Sequence, residues 1–196
     1  MSYLEADVTS ALKRQLPKLT RRDLEKRAKQ KFNKLKQEMI NEFRAHPITQ
    51  EILAGPNASN ISGTLGGTSN LFAFIGFSQG SSPITPILEI LERVTLQYDS
   101  DLRGSAKGYG INLKVNLPTA EEIFAITPLP WASGRSWAEG IERGISGLGY
   151  LVRKSGGRSG AAVQSRVKKI RGGGFQNTPY ISSFIRKYKK RFEELK

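Results

Sequence analysis

The stretch from Ile61 to Val94 constrains the fold most, because it is the most apolar part of the chain and the only long part with almost no charge. Within it, residues 70–77 place apolar side chains on both faces of an extended chain, which predicts a strand covered on both sides. Thr85 then offers an N-cap and Pro86 a first helical residue, and apolar residues recur at helical spacing up to Val94, which predicts a helix over 85–95. The core is therefore predicted to start from one buried strand and one short helix.

Residues that several classes of site require are absent or scarce. The chain has no cysteine, which excludes disulfides, thiolate metal sites and cysteine nucleophiles. Its single histidine, His46, excludes multi-histidine metal sites and is the residue on which a hydrolase would have to depend. No serine lies in a nucleophile-elbow pattern, so we interpret His46 as a helix-boundary residue. We expect no catalytic activity, no cofactor and no bound metal.

Hydropathy bears on the cellular compartment. No apolar run reaches the roughly 18 residues that a bilayer-spanning helix needs. Residues 1–15 lack the apolar segment of a secretory signal. We therefore expect an intracellular soluble protein with no membrane partner.

Charge is unevenly distributed along the 196 residues, whose net charge is +14. Residues 1–49 hold 12 basic and 6 acidic side chains, residues 50–127 hold 4 and 7, and residues 128–196 hold 15 and 4. The two ends are basic and the middle is mildly acidic. This distribution suits contact with nucleic acid, and it equally suits contact with acidic parts of a partner or of a second copy.

Two amphipathic helices are predicted near the two ends of the chain. The first covers residues 21–45 after a capping box at Thr20, its apolar residues step by three or four from Leu24 to Phe43, and His46-Pro47 ends it. Its basic back is interpreted as solvated, with DNA contact as the alternative. The second helix covers 178–196, with Thr178 as cap and Pro179 as first residue. Its stripe is expected to pack in the core or on a partner, with a membrane surface as the alternative.

The middle of the chain predicts a small antiparallel sheet. Residues 96–102 are expected to form an edge strand that carries Tyr98, Asp99 and Asp101. Residues 109–116 are expected to form a half-buried strand, because apolar residues there alternate with polar ones and glycine. Thr119 to Glu122 is a capping box for a very short helix, and its two glutamates favour the helix dipole without any catalytic role. Residues 128–131 form a rigid turn, and Trp137 begins a helical spacing that glycines interrupt. The two tryptophans of this region, Trp131 and Trp137, are predicted to lie either at an assembly contact or in the core.

Residues 153–174 form a basic, glycine-rich segment with no acidic residue. Such a composition buries too little apolar surface to fold alone. It is predicted to contact the phosphate backbone of DNA or to become ordered against a neighbouring subunit. The third alternative is a solvated loop without either contact. The candidate DNA-channel or partner contacts are its basic side chains: Arg153, Lys154, Arg158, Arg166, Lys168, Lys169 and Arg171.

The order of these pieces resembles that of the neck and tail-completion proteins of tailed bacteriophages, which join the head connector to the tail. The resemblance covers most of the chain in order of elements. Its most suggestive segments are Ser62–Gly66, before the sheet region, and Asn177–Ile181, before the final helix. Residues 118–150 and the basic segment 153–174 depart from the pattern.

The resemblance implies a structural virion protein in a ring of six or twelve copies around the DNA channel. Its partners would be itself and the neighbouring connector, tail-terminator or tube proteins, with possible non-specific DNA contact, in the virion and, during assembly, in the host cytoplasm. A non-enzymatic nucleic-acid-binding protein that uses its basic C-terminal clusters is the alternative.

The predicted fold class is α+β. A small antiparallel sheet packs with a long N-terminal helix, a middle helix and a C-terminal amphipathic helix, in a single domain over residues 1–196. Within it, residues 1–47 form a helical arm, 57–150 the α+β core, 153–174 the basic segment and 178–196 the last helix. The candidate subunit contacts are five aromatic side chains: Trp131, Trp137, Tyr180, Phe184 and Tyr188.

Overall fold

A computed structural model describes the backbone of residues 3–65, 70–105, 108–143 and 179–195. Side chains are described in those ranges from Thr20 onward, apart from 99–105 and 108–109. The chain forms two compact units. Unit 1 comprises Met1–Glu38, Val94–Leu117 and Lys189–Lys196, and unit 2 comprises Met39–Arg93 and Pro118–Tyr188. The single-domain organisation stays a prediction.

The long N-terminal helix α1 runs from Tyr3 to Ala45. It starts well before the predicted residue 21, because residues 3–19 are rich in Leu, Ala, Glu, Lys and Arg, which favour helix without a cap at Thr20. Its end is as predicted: His46 precedes Pro47 and begins the next helix. The predicted apolar stripe is confirmed in both units, since Phe32 and Leu35 are buried in unit 1 and Met39 and Phe43 in unit 2.

In unit 1 a two-stranded antiparallel hairpin accompanies α1. Strand β1 covers Thr95–Ser105 and strand β2 covers Gly108–Asn116. Both strands were predicted, and β1 extends three residues beyond the expected end at Leu102, with Ser105 pairing with Gly108. The register is irregular between Tyr98 and Leu102, so β1 carries extra residues there relative to β2.

The predicted strand at residues 70–77 is wrong, because the structure has a short helix there. In unit 2, helix α2 (Pro47–Leu53) is followed by a 3-10 turn (Gly55–Asn57) and helix α3 (Leu71–Ile75). The Asn70 side chain caps α3 by accepting a hydrogen bond from the Ala73 amide, 2.9 Å away. Gly76 ends it in the left-handed conformation, φ 85°. A start signal at Asn70 and a stop signal at Gly76, six positions apart, outweigh the strand preference of the phenylalanines.

The middle helix α4 (Thr85–Glu92) is confirmed, and its predicted cap is not. Ile84 occupies the N-cap position without a side-chain bond, and Thr85 is already helical. Ile84, Ile87 and Leu91 are buried in unit 2. These apolar contacts hold the start of the helix where a capping hydroxyl is missing.

The second half of unit 2 contains the predicted short helix, turn and helix, together with two strands that were not predicted. Helix α5 (Ala120–Ala125) has the predicted capping box at Thr119. Strands β3 (Pro128–Leu129) and β4 (Ala132–Ser136) pair antiparallel around the predicted Pro-Trp turn, and helix α6 (Trp137–Arg143) follows. The continuation of the helical spacing past residue 143 lies outside the described residues.

The last helix α7 runs from Ile181 to Glu193. It begins after Pro179, which was predicted to be its first residue: the Tyr180 carbonyl already accepts the Phe184 amide, 3.3 Å away. The predicted stripe is confirmed, with Ile181, Phe184, Ile185, Tyr188 and Phe192 all buried.

Seven helices and two small antiparallel sheets in the described ranges make the fold α+β, as predicted.

Candidate assembly surface

One face of the β1–β2 hairpin is apolar and incompletely covered. Its side chains lie on alternate positions of the two strands and are half-buried, whereas the side chains between them, such as Asn112 and Lys114, are exposed. We call this face the hairpin surface. It consists of Leu96, Tyr98, Ile111, Leu113 and Val115. Cross-strand pairing of Leu96 with Val115 and of Tyr98 with Leu113 gathers the apolar groups on one side.

Helix α1 holds the hairpin in place within unit 1. The Tyr98 hydroxyl donates to the Glu25 carbonyl at 3.3 Å, and the Lys36 Nζ donates to the Val94 carbonyl at 2.9 Å. The apolar side chains of α1 next to these contacts are not fully buried either, since Leu24 and Ala28 are half-buried. A two-stranded sheet of this length is marginally stable without further cover, so the described side chains of unit 1 leave its core incomplete.

The predicted aromatic subunit contacts are instead core residues. Trp137, Tyr180, Phe184 and Tyr188 are at most 7% exposed within the single chain, so their rings offer no surface to a second subunit. Tyr180 packs on Phe43 with ring centroids 5.8 Å apart. For Trp137, this burial agrees with the core position that was the alternative to an assembly contact.

Trp131 is the exception among these five, being half-buried. Its indole Nε1 donates to the Ile75 carbonyl at 2.7 Å. A Cβ at Gly76 would lie 3.2 Å from the indole ring. The tryptophan is thus fixed against the C-terminus of α3, and the absence of a side chain at Gly76 makes room for it.

The predicted DNA-channel or partner contacts, Arg153 to Arg171, all lie outside the described residues. The basic residues of α7 are described, and two of them are engaged in ion pairs. The Arg191 guanidinium lies 2.7 Å from the Glu38 carboxylate in unit 1, and the Lys187 Nζ lies 2.6 Å from the Glu42 carboxylate in unit 2. Arg186, Lys189 and Lys190 are exposed.

His46 has a structural position, as interpreted from the sequence. Its Nδ1 accepts a hydrogen bond from the Ile48 amide at 3.3 Å and caps α2. Its ring lies 4.9 Å from that of Tyr180. Burial lowers the pKa of the imidazole from its ordinary value, while the Glu42 carboxylate opposes this change.

Two buried polar groups that the sequence analysis missed join α2 to the segments after it. The Glu51 carboxylate, fully buried, accepts hydrogen bonds from the amides of Ser62 and Leu71, each at 2.7 Å. The Asn70 amide donates to the carbonyls of Pro56 and Ala58 at 2.7 and 3.0 Å. The isolated acidic residue in a long uncharged region was the available signal for Glu51.

Among the described residues, the Asn60 Oδ1 is buried without a hydrogen-bond partner. In a groove of unit 2, two polar side chains are bonded to other side chains of the protein. This groove, of about 330 Å³, is lined by Glu121, Phe124, Arg135, Ser136 and Glu139, among others. In it the Ser136 hydroxyl is bonded to that of Thr127 at 2.7 Å, and the Glu139 carboxylate pairs with Arg143 at 2.9 Å.

No group of three or more histidine, cysteine or acidic side chains in the described part of the chain is placed to hold a metal ion. No helix there combines the length and apolar character needed to cross a membrane.

Comparisons with family models, curated proteins and solved structures find no match to this chain.

Proposed function

We propose that this protein is a structural subunit of an oligomeric ring in the neck or tail end of a tailed phage, joining the head connector to the tail around the DNA channel. The observation that carries the proposal is the hairpin surface, an apolar face whose described side chains are half-buried rather than fully buried. A subunit that completes its core by assembly is expected to carry such a face.

The ion pairs of α7 favour this role over the nucleic-acid-binding alternative. A phosphate-binding cluster needs cationic groups that are free to replace counterions. Lys187 and Arg191 are held by carboxylates of the same chain, whereas Arg186, Lys189 and Lys190 are exposed. The ion pairs thus reduce the part of the predicted C-terminal cluster that is available to DNA.

The first experiment measures the solution mass by light scattering at low and high salt, with electron micrographs of the same samples. With a net charge of +14, copies repel one another, and salt screens this repulsion. We expect discrete rings that persist or grow in number at high salt. A monomer at every salt concentration, with DNA affinity that falls steeply with salt, would instead establish the nucleic-acid-binding alternative.

The hairpin surface is tested by a matched pair of variants. Leu113→Asp places a charge on the apolar face, and Asn112→Asp places the same charge on the neighbouring, exposed face. Because a charge buried in an apolar contact has to be desolvated, we expect Leu113→Asp to abolish the rings and Asn112→Asp to leave them intact.

Circular dichroism and thermal unfolding of both variants show whether the monomer is still folded. Rings that survive Leu113→Asp in a folded chain would contradict the role of the hairpin surface. Should Leu113→Asp fail to fold, Val115→Thr removes apolar character at the same face with little change in volume and serves as the second variant.

A further inference from the structure

Exposed apolar side chains also lie in unit 2, on α2, on the link that follows it and on α3, the helix that stands where a strand was predicted. Among the described residues, the large apolar side chains that are exposed are Leu53, Ile61 and Phe74, at 53%, 52% and 39%. Leu53 ends α2, Ile61 lies in the following link and Phe74 lies in α3. We call these three residues the neutral patch.

The elements that carry the neutral patch contact one another and are joined by side-chain hydrogen bonds. Helix α2, the 3-10 turn and α3 contact one another. Glu51 joins α2 to Ser62, next to Ile61, and to the first residue of α3. Asn70 joins the start of α3 to the 3-10 turn. A preformed apolar surface loses little conformational entropy on binding, so it is suited to a specific contact.

The charge of the chain indicates what this surface binds. Residues 52–88 contain no Asp, Glu, Lys, Arg or His, although the whole chain carries 31 basic and 17 acidic residues. Two copies with a net charge of +14 each repel one another most where basic faces meet. An uncharged apolar face is where a second copy can approach with the least repulsion and the greatest loss of exposed apolar area.

We propose that the neutral patch of one copy binds the hairpin surface of the next copy, and that this contact builds the ring. The inference rests on the proposed function and specifies its interface. Two different apolar surfaces on one chain are what a head-to-tail contact requires, and a head-to-tail contact closes into a ring when its rotation permits. A patch that paired with its own copy would give a dimer instead.

The test uses the full chain with a lysine placed at the patch. Phe74→Lys and Leu53→Lys change exposed positions, so the monomer is expected to fold, and Ala125→Lys at an exposed position of α5 is the matched control. We expect both patch variants to weaken association by at least about tenfold in light scattering at high salt, and the control to form rings as the wild type does.

Mixing identifies the partner surface. Phe74→Lys keeps its hairpin surface and Leu113→Asp keeps its neutral patch, so their mixture has one intact contact and is expected to form heterodimers that do not grow into rings. Leu113→Asp alone is expected to be monomeric. A stable dimer of Leu113→Asp alone would overturn the head-to-tail contact.

The outcomes separate this inference from the proposed function. Wild-type rings together with unimpaired rings of both patch variants would overturn the inference and leave the ring function standing. A wild-type chain that forms a dimer through the patch, and no ring, would overturn the ring function while retaining the patch as a contact between copies. A wild-type monomer at every salt concentration would overturn both.

Discussion

His46 links the stability of unit 2 to pH. Its Nδ1 must be unprotonated to accept the Ile48 amide, and burial lowers its pKa in the folded chain. The unfolded chain therefore binds a proton more readily than the folded chain does. The stabilising contribution is complete above about pH 6.5 and is lost as the pH falls from there towards the folded pKa.

We expect the free energy of unfolding to fall as the pH drops below about 6.5, and this fall to be smaller in His46→Asn. Asparagine keeps an acceptor at the N-cap and does not titrate. Urea titrations at several pH values measure the slope for both proteins. Equal slopes would show that other groups, rather than His46, set the pH dependence.

Glu51 shows at the scale of one residue what the sequence could not reveal. A capping box is visible because its partners lie three residues apart, whereas Glu51 bonds amides 11 and 20 residues further on. Those distances depend on where α2 and α3 pack. The same holds for the hydroxyls of Thr49 and Tyr180, which bond each other at 2.7 Å across 131 residues of chain.

Among the elements, those with local signals were predicted and α3 was not. Residues 71–77 are apolar on every face, so their periodicity does not distinguish a strand from a buried helix. The residues that decide in favour of a helix are Asn70, which caps its start, and Gly76, which ends it. The hairpin was predicted because Ile111, Leu113 and Val115 alternate with polar residues. The incomplete burial of the hairpin surface was not predicted, because it depends on how much of α1 packs against the hairpin.

Helix α5 provides a test of a local signal. The Thr119 hydroxyl accepts the Glu122 amide at 3.2 Å, and the Glu122 carboxylate accepts the Thr119 amide at 2.9 Å. Thr119→Ala is expected to lower the free energy of unfolding by about 1 kcal/mol. Glu121→Gln changes the same turn outside the box and is expected to have an effect below about 0.5 kcal/mol. Chemical denaturation compares them, and equal losses would contradict the capping role.

At the scale of the whole molecule, α1 and α7 each run without a break through both units. Unfolding of one unit therefore removes part of a helix on which the other depends. We predict that the two units unfold in one cooperative transition.

Phe192→Ala tests this coupling. Phe192 packs on Phe32 in unit 1 with ring centroids 5.6 Å apart, and its truncation is expected to cost about 3 kcal/mol. Both tryptophans lie in unit 2, so their fluorescence reports that unit alone. We expect the fluorescence transition to shift by as much as the circular dichroism transition, and Glu193→Ala, an exposed neighbour, to shift neither. A fluorescence transition that stays in place would show that the units unfold independently.

The packing of α7 on α1 also has a consequence for synthesis of the chain. Glu42 meets Lys187 across 145 residues, and Glu38 meets Arg191 across 153. At roughly 5–20 residues per second, the ribosome needs about 7–30 s to add the last helix after the first. During that interval the apolar stripe of α1 has left the ribosome without its cover. A nascent chain of this protein is therefore expected to occupy chaperones until α7 emerges, and products truncated before α7 are expected to be degraded or to aggregate.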